Sequence, residues 1–322
     1  MILPTSTIGS FPKPSYLKEA RTRFDRKEIT ASQLEELERK ATTQVVRLQE
    51  ELGIDILVDG EMYRGDMTAY FAEHLKGFTL SGLVRSYGNR YYRKPVVVGP
   101  VKRTSPISIE WFRYAQSLTK RPVKAILTGP YTMMDWSFDE HYGSREKLTM
   151  ALAEVLHEEV ADYQKIGAVH IQIDEPAVSV RSDEIDLAVR AMKVVTEDIK
   201  AETMTHICYG DFAAIYPKML DLAVDQFNLE FSNSELGMLE LFRTQPFTKR
   251  VGFGVLDIHS HVIEDLETVK GRIRRALEFF PADKVSINPD CGLKTRTEEE
   301  STAKLRVMVT ATHAVRKELG AA

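Results

Sequence analysis

The sequence predicts an α/β protein built as a single (β/α)8 barrel, also called a TIM barrel, and three observations support this prediction. Short apolar segments alternate with longer amphipathic segments from one end of the chain to the other. There are eight short segments, which is the number of strands in a closed barrel. The 322 residues also suit one barrel of about 250 residues or more. We therefore expect one domain over residues 1–322.

Each predicted strand is a short apolar run, and near-continuous apolar runs indicate parallel strands that helices cover on both faces. The strands are predicted at residues 6–9, 55–59, 124–128, 168–174, 202–207, 225–230, 250–254 and 285–288. Apolar residues recur at helical spacing over residues 32–52, 144–166, 182–200, 267–280 and 298–319. The first of these helices is predicted to open at Ser32 with the capping pattern Ser-x-x-Glu. Residues 80–100 lack a helical period, so we expect a β-hairpin inserted after the second strand.

Composition excludes several classes of function. The chain is 43% hydrophobic and 28% charged, which allows a substantial core. A net charge of −4 and a pI of about 6.1 give no basic surface for nucleic acid. The sequence has no secretory signal pattern and no run of about 20 apolar residues that could span a bilayer. We therefore expect a cytoplasmic protein with neither nucleic acid nor a membrane as its partner.

Polar residues follow the predicted strands at the ends that meet in a barrel. The carboxyl ends of parallel barrel strands converge on one face, which carries the chemistry of these folds. Loop polarity alone could explain two or three such residues, but not a cysteine, a histidine and a carboxylate from three separate strands. The residues are Ser10, Glu61, Asp174, Glu175, His206, Cys208, Glu230, His259 and Cys291.

The two cysteines, Cys208 and Cys291, are placed where a zinc ion could use them. His206 and Cys208 are two residues apart on a strand, so they face the same side. Together with Glu230 and Cys291 they offer two thiolates, an imidazole and a carboxylate for a tetrahedral zinc site. The alternative is that both cysteines are buried as small apolar residues. A disulfide is not expected in a reducing compartment.

Several motifs make the chain resemble the cobalamin-independent methionine synthase family, and specifically its catalytic C-terminal barrel. The resemblance covers nearly the whole chain, and the chain's length is similar to that of short archaeal and anaerobic-bacterial forms. The motifs are Ser6-Thr-Ile-Gly-Ser-Phe-Pro, Gly60-Glu61 with Arg64-Gly-Asp-Met, Leu127-Thr-Gly-Pro-Tyr-Thr with Trp136-Ser-Phe, Ile171-Gln-Ile-Asp-Glu-Pro-Ala, His206-x-Cys208, Asp257-Ile-His-Ser and Asn288-Pro-Asp-Cys-Gly-Leu-Lys-Thr-Arg.

The resemblance implies a zinc-dependent methyltransferase that acts on L-homocysteine to give L-methionine, with the (β/α)8 barrel as its fold. It implies that Zn2+ is held by His206, Cys208, Glu230 and Cys291. It also implies that the ammonium group of homocysteine is bound by Glu61 and Asp174. The positions that match the binding site for the substrate carboxylate are Ile8, Gly9 and Ser10.

The methyl donor remains open between two classes. The chain lacks the second barrel of the long folate enzymes, and short relatives are associated with methylcobalamin or a methylated corrinoid protein, so a corrinoid donor is the preferred interpretation. Methyltetrahydrofolate is the alternative, and Trp136 and Arg90 match the family's donor-binding positions. With folate, His259 would act as a general acid for the departing pterin nitrogen.

Two further hypotheses belong to other classes of function. The first is corrinoid-dependent methyl transfer to another thiol, which predicts a different set of polar residues at the barrel mouth. The second is a non-enzymatic partner protein stabilised by zinc, in which four tight ligands would close the site without polar groups for a substrate.

Overall fold

The structure is a computed structural model that describes residues 1–85, 91–208, 210, 212–234 and 236–321. Its strands are β1 (Leu75–Arg85), β2 (Tyr91–Arg103), β3 (Lys124–Thr128), β4 (Phe138–Asp139), β5 (His170–Asp174), β6 (Glu202–Ile207), β7 (Gln226–Leu229), β8 (Arg250–Gly254) and β9 (Val285–Asn288).

Eleven α-helices are described in these residues. They are α1 (Ser15–Asp25), α2 (Ala31–Leu52), α3 (Ala69–Glu73), α4 (Ile109–Ser117), α5 (Pro130–Asp135), α6 (Arg145–Lys165), α7 (Ile185–Val195), α8 (Phe212–Ile215), α9 (Leu241–Thr244), α10 (Leu266–Leu277) and α11 (Glu298–Glu318). Short 3-10 helices occur at Pro176–Val180, Ser182–Glu184, Lys218–Asp221, Ser232–Ser234, Gly237–Glu240 and Ala282–Lys284.

The main sheet confirms the predicted α/β class. Its six strands have the order β3-β5-β6-β7-β8-β9, and the pairs β5 with β6, β7 with β8 and β8 with β9 are parallel. Apart from their first residues, β5, β6 and β8 are buried throughout, as are all of β7 and β9, as expected of strands covered on both faces.

The first two predicted strands are present as isolated parallel bridges. Thr5 pairs with Ile287 of β9, Ser6 pairs with Ile56, and Leu57 pairs with Val123, directly before β3. The parallel order therefore continues from β9 through these two segments to β3, which is the strand order of a (β/α)8 barrel.

The predicted hairpin insertion is confirmed between the second and third barrel strands. β1 and β2 pair antiparallel, with Leu80 opposite Pro95, and β4 joins β2 in parallel. Together they form a separate three-stranded sheet among the described residues.

Several helix boundaries differ from the predictions. α2 is capped by Thr30, whose hydroxyl accepts from Gln33 N while the Gln33 side chain accepts from Thr30 N, so the predicted cap at Ser32 is wrong. The reason is that Thr30 and Gln33 form the same reciprocal pair two residues earlier. α7 covers only part of the predicted 182–200, because a 3-10 turn at Ser182–Glu184 precedes it and the helix ends at Val195.

The described chain divides into two compact units. The first unit contains Met1–Tyr63, Trp111–Lys124 and Gln226–Ala322, and the second contains Arg64–Glu110 and Ala125–Asp225. In the first unit, buried Gln49 of α2 bonds both the N–H and the C=O of Val58, at 3.0 and 2.8 Å, which fixes the segment that leads to Glu61. None of the described helices is long and apolar enough to cross a bilayer.

Candidate active site

Three predicted metal ligands are brought together. The ligand atoms of His206, Cys208 and Cys291 all lie within 4.8 Å of one another. His206 lies on β6 and Cys208 just after it, and both are buried, while Cys291 follows β9 and is partly exposed. Two sulfur atoms and one imidazole nitrogen form a donor set that suits zinc, so the residues present fit this ion.

Glu230, the fourth predicted ligand, lies outside that group and has other partners. It follows β7 in the first unit and is 3% exposed. Its carboxylate accepts from Asn233 Nδ2 at 2.9 Å and lies 3.4 Å from His259 Nε2. This hydrogen bond raises the pKa of His259 above its ordinary value, the charges of Glu230 and Cys291 act in the same direction, and partial burial opposes them.

Asp290 is a buried carboxylate that the sequence analysis did not single out. It is fully buried, and its oxygens accept from the backbone N–H groups of Phe231 and Ser232 at 3.1 Å and of Asn233 at 2.8 Å. Burial raises its pKa to about 7, although these three hydrogen bonds oppose the rise. Since Asp290 precedes Cys291 and binds the segment after Glu230, one side chain joins two loops that carry predicted ligands. In the sequence, the feature that could have indicated a role for Asp290 is its position inside the motif Asn288-Pro-Asp-Cys.

The predicted carboxylate-binding segment is fixed in the first unit. Ile8, Gly9 and Ser10 are buried. The C=O of Ser10 accepts from Leu293 N at 2.7 Å. A side chain at Gly292 would place its Cβ 2.2 Å from Ser10 Oγ, so a larger residue beside Cys291 would have to displace the Ser10 hydroxyl.

Glu61 is half-buried and is held in an unusual backbone conformation. Its φ is +56°, a left-handed value that few residues other than glycine adopt. Asp59 Oδ1 accepts from Glu61 N at 2.9 Å, and Lys13 Nζ donates to Glu61 O at 3.2 Å. Burial, together with the neighbouring Arg21, lowers the pKa of Lys13 to about 8. Such strain at a polar residue is typical of functional sites.

In the second unit, Asp174 ends β5 and Glu175 follows it, and both are buried. Asp174 Oδ1 accepts from Gln172 Nε2 at 2.7 Å. Glu175 accepts from Tyr131 N at 3.0 Å and from Thr132 N and Oγ1 at 2.7 Å each. Burial raises the pKa of Glu175 to about 7, against the effect of these hydrogen bonds.

The contacts of Glu175 anchor the start of α5. At the other end of this helix, Trp136 is the C-cap residue and is half-buried. Arg90, the other predicted donor-binding residue, lies outside the described residues.

Comparison with known proteins assigns the family. The model of the family described as "Cobalamin-independent synthase, Catalytic domain" matches residues 3–314. A 5-methyltetrahydropteroyltriglutamate–homocysteine methyltransferase from Buchnera aphidicola is 40% identical over 99% of this chain, which spans only 44% of that relative. A methionine synthase from Saccharolobus solfataricus is 37% identical over 99% of this chain and 96% of its own length.

A solved structure agrees with these relatives. It is a B12-independent methionine synthase from Shewanella sp. W3-18-1 in complex with selenomethionine, with a TM-score of 0.88, 32% identity and full coverage of both chains. The family description does not support the corrinoid donor that we preferred from the sequence; it agrees with the folate alternative. The chain belongs to the cobalamin-independent synthase family and corresponds to its catalytic domain.

Proposed function

We propose that this chain is a zinc-dependent methyltransferase that moves a methyl group from 5-methyltetrahydrofolate, or its polyglutamate, to L-homocysteine. The product is L-methionine. The observation that carries this proposal is the group of two thiols and one imidazole at His206, Cys208 and Cys291. The relatives named as homocysteine methyltransferases and the selenomethionine bound to the Shewanella protein support the same reaction.

We assign the metal to His206, Cys208 and Cys291, with Glu230 as the fourth ligand. Zinc held by these residues would supply one chemical property, a lowered thiol pKa that keeps the homocysteine sulfur as a thiolate at neutral pH. Glu230 also bonds His259, so its carboxylate would orient this imidazole while serving the metal.

We assign the ammonium and carboxylate groups of homocysteine to residues that offer the opposite charge or suitable hydrogen-bond donors. Glu61 and Asp174 would bind the ammonium group, and the backbone N–H groups of Ile8, Gly9 and Ser10 would bind the carboxylate.

In the transfer, a bond forms between sulfur and the methyl carbon while the bond from that carbon to the pterin nitrogen breaks. The electron pair stays on the nitrogen, which then takes up a proton. His259 suits this task because an imidazole can donate a proton near neutral pH, and its hydrogen bond with Glu230 raises its pKa and so favours the protonated form.

Trp136 is the candidate contact for the pterin ring, since a half-buried indole offers an apolar face for stacking. Arg90 is proposed for the same ligand from the sequence alone. Both assignments depend on the folate donor.

The decisive experiment supplies the purified protein and Zn2+ with homocysteine and one of three donors: methyltetrahydrofolate, its triglutamate or methylcobalamin. We expect methionine, measured by mass spectrometry, from the folates. Cys291→Ser serves as the inactive control, because it removes a metal-binding thiolate. Methionine from methylcobalamin alone would overturn the folate donor, and no methionine from any donor would overturn the reaction.

A second measurement tests the alternative of a purely structural zinc site. In protein loaded with Co2+, homocysteine should change the visible spectrum of the metal, because a substrate sulfur approaches it. A spectrum that stays constant up to millimolar homocysteine would favour a closed structural site.

A further inference from the structure

The loop that carries His259 buries one apolar side chain, Ile258, and exposes its other two. We call residues 257–264 the His259 loop; it follows β8 and precedes α10. Val262 and Ile263 are exposed by 69% and 37%. Bonds within the loop are local: Asp257 Oδ1 accepts from His259 N at 2.8 Å, and Ser260 Oγ accepts from Val262 N at 3.2 Å. Buried Ile258 and two side-chain contacts, His259 with Glu230 and His261 with Glu300, link the loop to the rest of the unit, but none of them holds the backbone between Asp257 and Glu264.

A lysine from α11 attaches the backbone of the loop. The Lys304 side chain is completely buried, and its Nζ donates to Asp257 O at 3.0 Å, to Val262 O, and to Glu264 Oε2 at 2.8 Å. The other oxygen of Glu264 accepts from Asp257 N at 2.8 Å. All three ammonium hydrogens are therefore used, and they reach the beginning, the middle and the end of the His259 loop.

Burying the Lys304–Glu264 ion pair costs free energy of desolvation. A role other than stability is therefore expected for a pair buried at this position. A lysine ammonium and a carboxylate lose their hydration on burial, and an apolar pair of similar size often stabilises a protein equally well or better. An apolar residue at position 304 could fill the space, but it could not bond the carbonyl groups of Asp257 and Val262. The pair Lys304–Glu264 thus contributes a specific loop conformation more than it contributes stability.

We propose that Lys304, acting with Glu264, is the positioning residue that holds His259 beside Glu230 during methyl transfer. The hydrogen bonds of the Lys304 ammonium go to the loop backbone and to Glu264, so Lys304 acts on His259 through the loop. The inference rests on the proposed function for its catalytic consequence, while the fixing of the loop by Lys304 can be measured independently of any reaction.

The test uses Lys304→Met, which keeps the length of the side chain, and the double variant Lys304→Met/Glu264→Gln, which also removes the buried charge of Glu264, leaving no carboxylate without its lysine. Lys317→Met, an exposed position on the same helix, is the matched control. We expect amides of the His259 loop to exchange hydrogen faster in both test variants than in the wild type and the control. We expect kcat with methyltetrahydrofolate to fall about 10- to 100-fold, the effect of a small misplacement of a catalytic group.

Two comparisons distinguish an effect of Lys304 on the position of His259 from an effect on the stability of the whole protein. The double variant should regain most of the melting temperature that Lys304→Met loses, yet its kcat should stay low. In a His259→Ala background, Lys304→Met should lower kcat by less than twofold, because the group that it positions is already gone. KM for homocysteine and bound zinc should match the wild type throughout.

Other results would overturn the proposal. A kcat that recovers together with the melting temperature, or an equal loss in the His259→Ala background, would mean that Lys304 serves stability alone. Unchanged amide exchange in the loop would show that Lys304 does not hold it. A wild-type protein that transfers no methyl group would instead defeat the proposed function, and the exchange data would still decide the role of Lys304 in the loop.

Discussion

Each of the two units contains a buried carboxylate that holds a segment near predicted site residues, and the two carboxylates use different partners. In the first unit, Asp290 accepts from three backbone N–H groups after Glu230. In the second unit, Glu175 accepts from two backbone N–H groups and one hydroxyl at the start of α5. Burial raises the pKa of both to about 7.

Asp290 and Glu175 have similarly raised pKa values, but each holds a different group of predicted site residues. Asp290 connects the two first-unit loops that carry predicted metal ligands, Glu230 and Cys291. Glu175 connects Asp174, predicted to bind substrate, with the helix that ends at Trp136, predicted to bind the donor. Disrupting Asp290 should therefore affect metal affinity, whereas disrupting Glu175 should leave it intact.

The largest expected effect comes from Asp290→Ala. Three buried N–H groups would lose their acceptor, so we expect a loss of about 4 kcal/mol in the free energy of unfolding. Zinc affinity, measured on the folded protein by competition with a chromogenic chelator, should fall about 10- to 100-fold, as when an outer partner of a ligand is removed. Asp290→Asn, which retains one acceptor oxygen, should give a smaller loss, and Asp283→Ala at an exposed position should give none. Zinc affinity at the wild-type level in Asp290→Ala would show that the loop holds Glu230 and Cys291 without Asp290.

Whether the sequence could predict a feature of the fold or the site depends on how far apart in the chain the interacting residues are. The parallel strands and the hairpin were predictable because their signals are local, namely short apolar runs and turn residues. Site residues at strand ends could be predicted because barrel topology gathers those ends. The first two strands are reduced to bridges, which no local pattern at Ser6 or Ile56 indicates.

Asp290 and Lys304 illustrate what the sequence does not indicate. Lysine in an amphipathic helix ordinarily faces solvent, and the burial of Lys304 depends on carbonyl groups some forty residues away in the chain. The role of Asp290 depends on N–H groups of a segment 57 to 59 residues away. Interactions at this separation become visible only once the fold has brought the segments together.

The second prediction is that removing Glu175, unlike removing Asp290, leaves the zinc affinity unchanged. Glu175→Ala removes the acceptor at the start of α5, and we expect a loss of about 3 kcal/mol in the free energy of unfolding. Zinc affinity should remain within twofold of the wild type, with Glu197→Ala as an exposed control. The two variants should thus differ in metal binding more than in stability. A tenfold loss of zinc affinity in Glu175→Ala would remove the distinction between the two carboxylates.

The third prediction concerns the pH dependence of stability in metal-free protein. The pKa of Glu175 is about 7 in the folded state against an ordinary 4.5, so between these values the folded protein binds more protons than the unfolded chain. Stability should therefore fall as pH rises through this interval, with a contribution that approaches about 1.4 kcal/mol per pH unit. Glu175→Gln cannot titrate, so urea unfolding at several pH values should show a shallower slope for this variant. Equal slopes would mean that Glu175 titrates near its ordinary pKa when folded.

The smallest effect is expected from Thr132→Val, which isolates the contact that distinguishes Glu175 from Asp290. The Thr132 hydroxyl donates to Glu175 at 2.7 Å and accepts from Ala177 N at 3.2 Å, so it joins α5 to the segment after Glu175. Its removal leaves the N–H of Ala177 without this acceptor and should cost about 1 kcal/mol in the free energy of unfolding. Thr149→Val is the matched control, because the hydroxyl of Thr149 only donates to Arg145 O within α6. If both variants lose the same stability, the hydroxyl adds nothing specific, and Glu175 and Asp290 hold their segments through backbone N–H groups alone.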